Sequence, residues 1–95
     1  MKIYLSGPMT GYPELNFPAF DAMRDRLLSQ GHEVVSPADL ERNRNVVGYN
    51  NQLRDDIAHL VFCEAIFLLK GWEKSYGAKL EKFIAESLHF QVIYE

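Results

Sequence analysis

Residues 65–69 read AIFLL, an unbroken apolar run ended by Lys70 and Gly71. A run this short with no polar alternation suits a β-strand covered on both faces, the situation of a strand inside a parallel sheet. Its flanks agree. Upstream, from about Asn50 to Phe62, Leu53, Ile57, Leu60 and Val61 recur at helical spacing. Downstream, Tyr76 to Leu88 repeats that spacing, with Leu80, Phe83, Ile84 and Leu88 as the expected buried stripe and Lys79, Lys82 and Glu86 opposite. Phe90, Gln91, Val92, Ile93 and Tyr94 then combine aromatic and β-branched residues and read as a closing strand.

The N-terminal half has the same alternation. Lys2 to Leu5 reads as a first strand stopped by Ser6-Gly7-Pro8. After the loop SGPMTGYPEL, Asn16 is the expected cap of a helix that tolerates Pro18, lines up Phe20, Met23 and Leu27 on one face, and closes at Gly31. Glu33 to Ser36 reads as a second strand ended by Pro37, and the polar, unpatterned stretch from Ala38 to Gly48 as a surface loop. The order βαβαβαβ predicts one α/β domain over residues 1–95. Its expected form is a small Rossmann-like or flavodoxin-like three-layer fold, with a parallel sheet of about four strands and right-handed crossovers. In such sheets ligands bind outside the carboxyl ends of the strands, which puts SGPMTG and KGWEKSYG at one rim, facing one ligand.

Composition narrows the partners. The 95-residue chain carries a net charge of -3, so it has no basic footprint for nucleic acid or an anionic membrane surface. Cys63 is its one cysteine, which points to a reducing compartment, the cytoplasm. No apolar run approaches the roughly 20 residues that span a bilayer. His32, His59 and His89 have no metal-ligand spacing and read as surface or structural.

Two acids stand apart from the other charges. Glu81 falls on the shoulder of the expected apolar stripe, one turn from Gly77, whose missing side chain leaves room for a molecule to approach the carboxylate. The plain alternative is a boundary glutamate whose stem packs while its head reaches water. Asp56 lies beside Leu53 and Leu60 on the buried side of its helix, whereas Asp55 points roughly the other way; it reads equally well as a solvated residue near the first turn. Two carboxylates at one rim can divide nucleophilic and proton-handling work, as glycosyl chemistry requires. Tyr4 can donate to either acid, or be plain core. Ser75, with the N–H groups of the following helix, offers an anion site or an ordinary cap. Trp72 can stack on a base or cover the core edge. The loop SGPMTG can present N–H groups to an anion but lacks the spacing of a dinucleotide or phosphate-binding loop.

IYLSGPMTG at the start, LRDDIAHLVFCEAIFLL in the middle and SYGAKLE near the end, in that order, resemble the nucleoside 2-deoxyribosyltransferase superfamily over nearly the whole chain. Within it the chain looks most like the short, often phage-encoded members with SGPMTG, NFPAF and GWE-S-GA-E segments, related to 2'-deoxynucleoside 5'-monophosphate N-glycosidases. The resemblance implies a nucleophilic Glu81, a helix aspartate at Asp56 and a strand tyrosine at Tyr4. Substrate contacts are expected from Ser6, Gly7, Pro8, Met9, Thr10, Gly11, Asn16, Phe17, Trp72, Ser75 and Gly77. Ser75 matches the serine that holds the phosphate in the related hydrolases. Those hydrolases carry serine and arginine where this chain has Pro8 and Thr10, and the transferases commonly carry aspartate where Ser75 stands.

The expected function is cleavage or transfer at the N-glycosidic bond of a nucleoside or its 5'-monophosphate, with no metal or cofactor. The alternative from another class is a non-catalytic pocket for a nucleotide or a nucleotide-derived signal. A homodimer or larger homo-oligomer is expected, because so small a chain is rich in aromatic residues and its relatives associate.

Overall fold

The computed structural model describes residues 1–45 and 47–95. Four strands, β1 (Lys2–Ser6), β2 (Glu33–Val35), β3 (Ala65–Leu68) and β4 (Gln91–Tyr94), form one parallel sheet in the order β2-β1-β3-β4. All three pairings are parallel, with Tyr4 beside Val35 and Ile66, and Phe67 beside Ile93. The helices are α1 (Phe17–Ser29), α2 (Pro37–Arg42), α3 (Tyr49–Leu60) and α4 (Tyr76–Ser87), with short 3₁₀ turns at Pro13–Asn16 and Trp72–Lys74. This is the α/β architecture expected from AIFLL and its flanks.

The two-residue period of the strands divides the core. Ile3, Leu5, Ala65, Phe67 and Leu69 face Phe20, Met23 and Leu27 of α1 and Ala38 of α2. Tyr4, Ile66 and Leu68 face the other way, against Leu60, Cys63 and Ala85. Each face is therefore covered by helices, which is why β3 is apolar without interruption. The chain leaves β1 to reach β2 on one side, then returns to β3 on the other. That reversal opens a crevice at the carboxyl ends of the central strands. Gly7, at the end of β1, is fixed by this packing: a Cβ there would lie 2.8 Å from Leu69 Cβ.

Several local expectations are corrected. The stretch expected as a loop from Ala38 to Gly48 begins inside α2, where Pro37 occupies the first turn, Asp39 favours the N-terminal end and Arg42 the C-terminal end. Val46 of that stretch lies outside the described residues. Asn16 stands at the head of α1 but does not cap it; its backbone is left-handed (φ 61°) and its side chain donates instead to the Pro8 carbonyl at 2.9 Å. The buried face of α4 is turned from the expected stripe, because Ala78, Glu81 and Ala85 are buried while Phe83 and Leu88 are exposed. Small alanines let α4 lie close to the sheet, and Glu81 points inward between them.

Candidate active site

The floor of the site is built by strand alternation. Tyr4 and Ser6 lie two residues apart on β1 and so share one face of the sheet, the face under α4. Both reach Glu81. Tyr4 Oη donates to Oε2 and Ser6 Oγ donates to Oε1, each at 2.7 Å. Tyr4 and Ser6 are fully buried, and Glu81 is 4% exposed. Burial pushes the Glu81 carboxyl up to about 7; the Tyr4 and Ser6 hydrogen bonds pull it down, and the Asp56 charge adds to the rise. Burial and the Glu81 charge in turn raise the Tyr4 phenol well above its ordinary value, so Tyr4 is a proton donor to the carboxylate at any neutral pH. A buried carboxyl with its affinity for the proton raised and both oxygens fixed by donors, at the base of an open cleft, is suited to gaining and losing a bond to an electron-poor carbon.

The cleft above it is about 800 Å³. One wall is Gly7, Pro8, Met9 and Thr10 from the loop after β1; another is Lys74, Ser75, Tyr76 and Gly77 at the head of α4. Gln52, Leu53 and Asp56 of α3, with Pro37 and Glu41 of α2, close the far side. The two loops expected to share a rim therefore meet, although the second contributes only its latter half. Tyr12 and Leu15 also line the cleft, from a strap in which Glu14, Leu15 and Asn16 are all left-handed. Non-glycine residues bear this conformation at a cost of about 1–2 kcal/mol each, and the Asn16 to Pro8 bond ties the strap to the β1 loop.

Ser75 caps α4, its Oγ accepting from Ala78 N–H at 3.1 Å, and its hydroxyl proton remains available to a ligand. Gly77 leaves space filled by α3: a Cβ there would lie 3.3 Å from Tyr49 Oη and 3.5 Å from Leu53 Cδ1. Asp56 Oδ1 accepts from Arg44 Nη1 at 2.7 Å. Its carboxyl is raised by burial despite that cation.

Other expected contacts lie elsewhere. Trp72 borders a separate hollow with Lys70, Gly71, Glu73 and Tyr94; its ring centroid is 5.9 Å from that of Tyr94, and Lys82 Nζ sits 5.4 Å from it. Phe17 packs at the edge of the α1 core under the Arg42 guanidinium. Gly11 and Asn16 do not line the cleft, and Ser6 acts from below through Glu81. Asp55, expected to point away from Asp56, shares Arg44 with it. Arg44, Glu41, Tyr49 and Gln52 are cleft residues that the sequence did not single out. The clearest available signal was Ser36-Pro37 followed by Asp39, a helix start that would have drawn Glu41 and Arg44 toward the site. Among the described residues no group of three or more His, Cys, Asp or Glu side chains is arranged to hold a metal, and no helix is long and apolar enough to cross a membrane.

Residues 1–94 match a family described as "Domain of unknown function (DUF4406)". No curated protein matches the chain. Among solved structures, a 2-desoxiribosyltransferase from Leishmania mexicana is similar, with a TM-score of 0.75 and 18% identity over 98% of this chain and 62% of that one. The likeness is one of fold, and the chain spans less than two thirds of that protein's length.

Proposed function

The chain belongs to the DUF4406 family, whose description assigns no activity, and we propose that it cleaves or transfers at the N-glycosidic bond of a nucleoside or its 5'-monophosphate. The observation that carries the reading is Glu81, buried at the base of the cleft with one oxygen held by Tyr4 and the other by Ser6. A Glu81 oxygen attacks the anomeric carbon as the carbon–nitrogen bond breaks, and the bonding pair leaves with the base. A glycosyl ester remains. Water or a second base then attacks that carbon and releases Glu81, giving overall retention. Asp56, its carboxyl raised by burial, serves the departing nitrogen with a proton or a hydrogen bond. The similarity in fold to a 2-desoxiribosyltransferase supports the same chemistry.

Lys74 and Ser75, on the cleft wall at the head of α4, favour a 5'-monophosphate over the free nucleoside. The working unit is a two-fold dimer: Phe62 (77% exposed), Tyr76 (67%) and Phe83 (66%) present aromatic surface on and beside α3 and α4 that a second copy would cover. Light scattering at micromolar concentration tests this, and a mass of 11.0 kDa would contradict it. The activity is tested by incubating wild type and Glu81→Ala with deoxynucleosides, ribonucleosides and their 5'-monophosphates. Base released by wild type and not by the variant is the expected result; ligand bound and recovered intact would make the protein a binder.

A further inference from the structure

Among the described residues Arg44 is the most enclosed cation that is bound to several acids, its side chain 10% exposed. Nη1 donates to Asp56 Oδ1 at 2.7 Å and to Asp55 Oδ2 at 2.8 Å, and Nη2 donates to Glu41 Oε2 at 2.6 Å. Glu41 Oε1 accepts from Gln52 at 3.0 Å, so the guanidinium is braced from α2 and α3 together. Burial alone would lower its affinity for the proton; the bonds to Asp56, Glu41 and Asp55 outweigh that and raise it, so Arg44 is permanently charged.

Two details separate this cluster from a plain staple between helices. Arg44 Nε is buried with no partner among the described residues, so the guanidinium is not fully used by the staple. Arg44, Glu41 and Asp56 also line the cleft, and Asp56 Oδ2 accepts no hydrogen bond among the described residues. One carboxylate oxygen is held by the cation and the other is not.

We propose that Arg44 is a positioning residue: anchored by Glu41 and Asp55, its guanidinium holds Asp56 through Oδ1 and keeps Oδ2 turned to the base of the substrate. Its part in turnover rests on the glycosyl-transfer reading above; the geometry does not. The groups acting on Asp56 are Asp55 and Tyr49 of its own helix, Glu41 of α2 and Arg44 after it, Glu81 from α4, and Tyr4 from β1. Only Arg44 among them is a cation, so its loss must raise the Asp56 carboxyl.

The test uses the full chain with Arg44→Met and Arg44→Lys, each also combined with Asp56→Asn. The Asp56 carboxyl carbon is titrated by NMR, and kcat and KM for base release are measured with a deoxynucleoside 5'-monophosphate. Arg44→Met should raise the Asp56 pKa. Arg44→Lys keeps the charge without the fork, so the pKa should stay nearer wild type while kcat falls about 10-fold or more, the scale of one charge-assisted hydrogen bond, with a smaller change in KM. In the Asp56→Asn background, Arg44→Lys should have less than about a twofold further effect, since coupled residues are not additive. An Asp56 pKa unmoved in Arg44→Met, or losses that multiply in the double variant, would overturn the proposal. If wild type releases no base, the glycosyl reading falls, and the Asp56 titration in Arg44→Met and Arg44→Lys still decides whether Arg44 governs that carboxylate.

Discussion

Replacing Glu81 by glutamine should make the protein more stable and inactive. The wild-type carboxyl is pushed from an ordinary 4.5 up to about 7 in the folded state, chiefly by burial. The folded protein thus binds this proton more tightly than the unfolded chain. The resulting stability is fully present below about pH 4.5 and is lost as pH rises through about 7. A difference of about 2.5 pH units corresponds to about 3 kcal/mol at 1.36 kcal/mol per unit. Glutamine carries no charge to desolvate, and its amide can keep both contacts, accepting from Tyr4 Oη and donating to Ser6 Oγ. Urea denaturation of wild type and Glu81→Gln at pH 5 and pH 8 measures the effect. The variant should gain about 1–3 kcal/mol over wild type at pH 8, and clearly less at pH 5. A variant less stable than wild type at pH 8, or a difference identical at the two pH values, would refute the assignment of Glu81 as a buried, desolvated acid.

Tyr4→Phe removes a hydrogen bond that lowers the Glu81 pKa, so the acidic limb of the pH–activity profile should move up by roughly 1 unit; an unmoved limb would show that the bond does not tune the nucleophile. Ser75→Ala loses the α4 cap, which costs about 1 kcal/mol in denaturation, and should also reduce kcat/KM for a monophosphate more than for its nucleoside; equal reductions would confine Ser75 to capping. Gly7→Ala drives a Cβ to within 2.8 Å of Leu69 Cβ and should destabilise the fold by about 1–3 kcal/mol, read as a lower denaturation midpoint, whereas an unchanged midpoint would mean that the β1 loop yields.

The parts of the fold legible in sequence are those where one physical effect dominates. AIFLL had to be a doubly covered strand, and Phe20, Met23 and Leu27 had to face the sheet. On α4 two effects competed. Hydropathy pointed Phe83 and Leu88 inward, but close approach to the strands favours Ala78 and Ala85, and Tyr4 and Ser6 supply the donors that make a buried Glu81 tolerable. Those donors sit on a strand far away in sequence, so helical periodicity could place Glu81 only on a shoulder. Arg44 was hidden for a related reason: it follows a one-and-a-half-turn helix too short for a periodic signal, and its acids come from α3 as well as α2. Trp72 shows the converse. Lys74 and Ser75, two and three residues further on, line the cleft, yet the 3₁₀ turn at Trp72–Lys74 leaves the Trp72 ring against Tyr94.

The central claim is that Glu81 forms a bond to the sugar, and the most direct measurement is the mass of the Glu81-bearing peptide after acid quench of the protein turning over a deoxynucleoside or its 5'-monophosphate. The account predicts that peptide increased by the mass of the deoxyribosyl group, with its phosphate where the substrate has one, and no such species in Glu81→Gln. Base release by wild type with the adduct on another residue, or base release undiminished in Glu81→Gln, would contradict it.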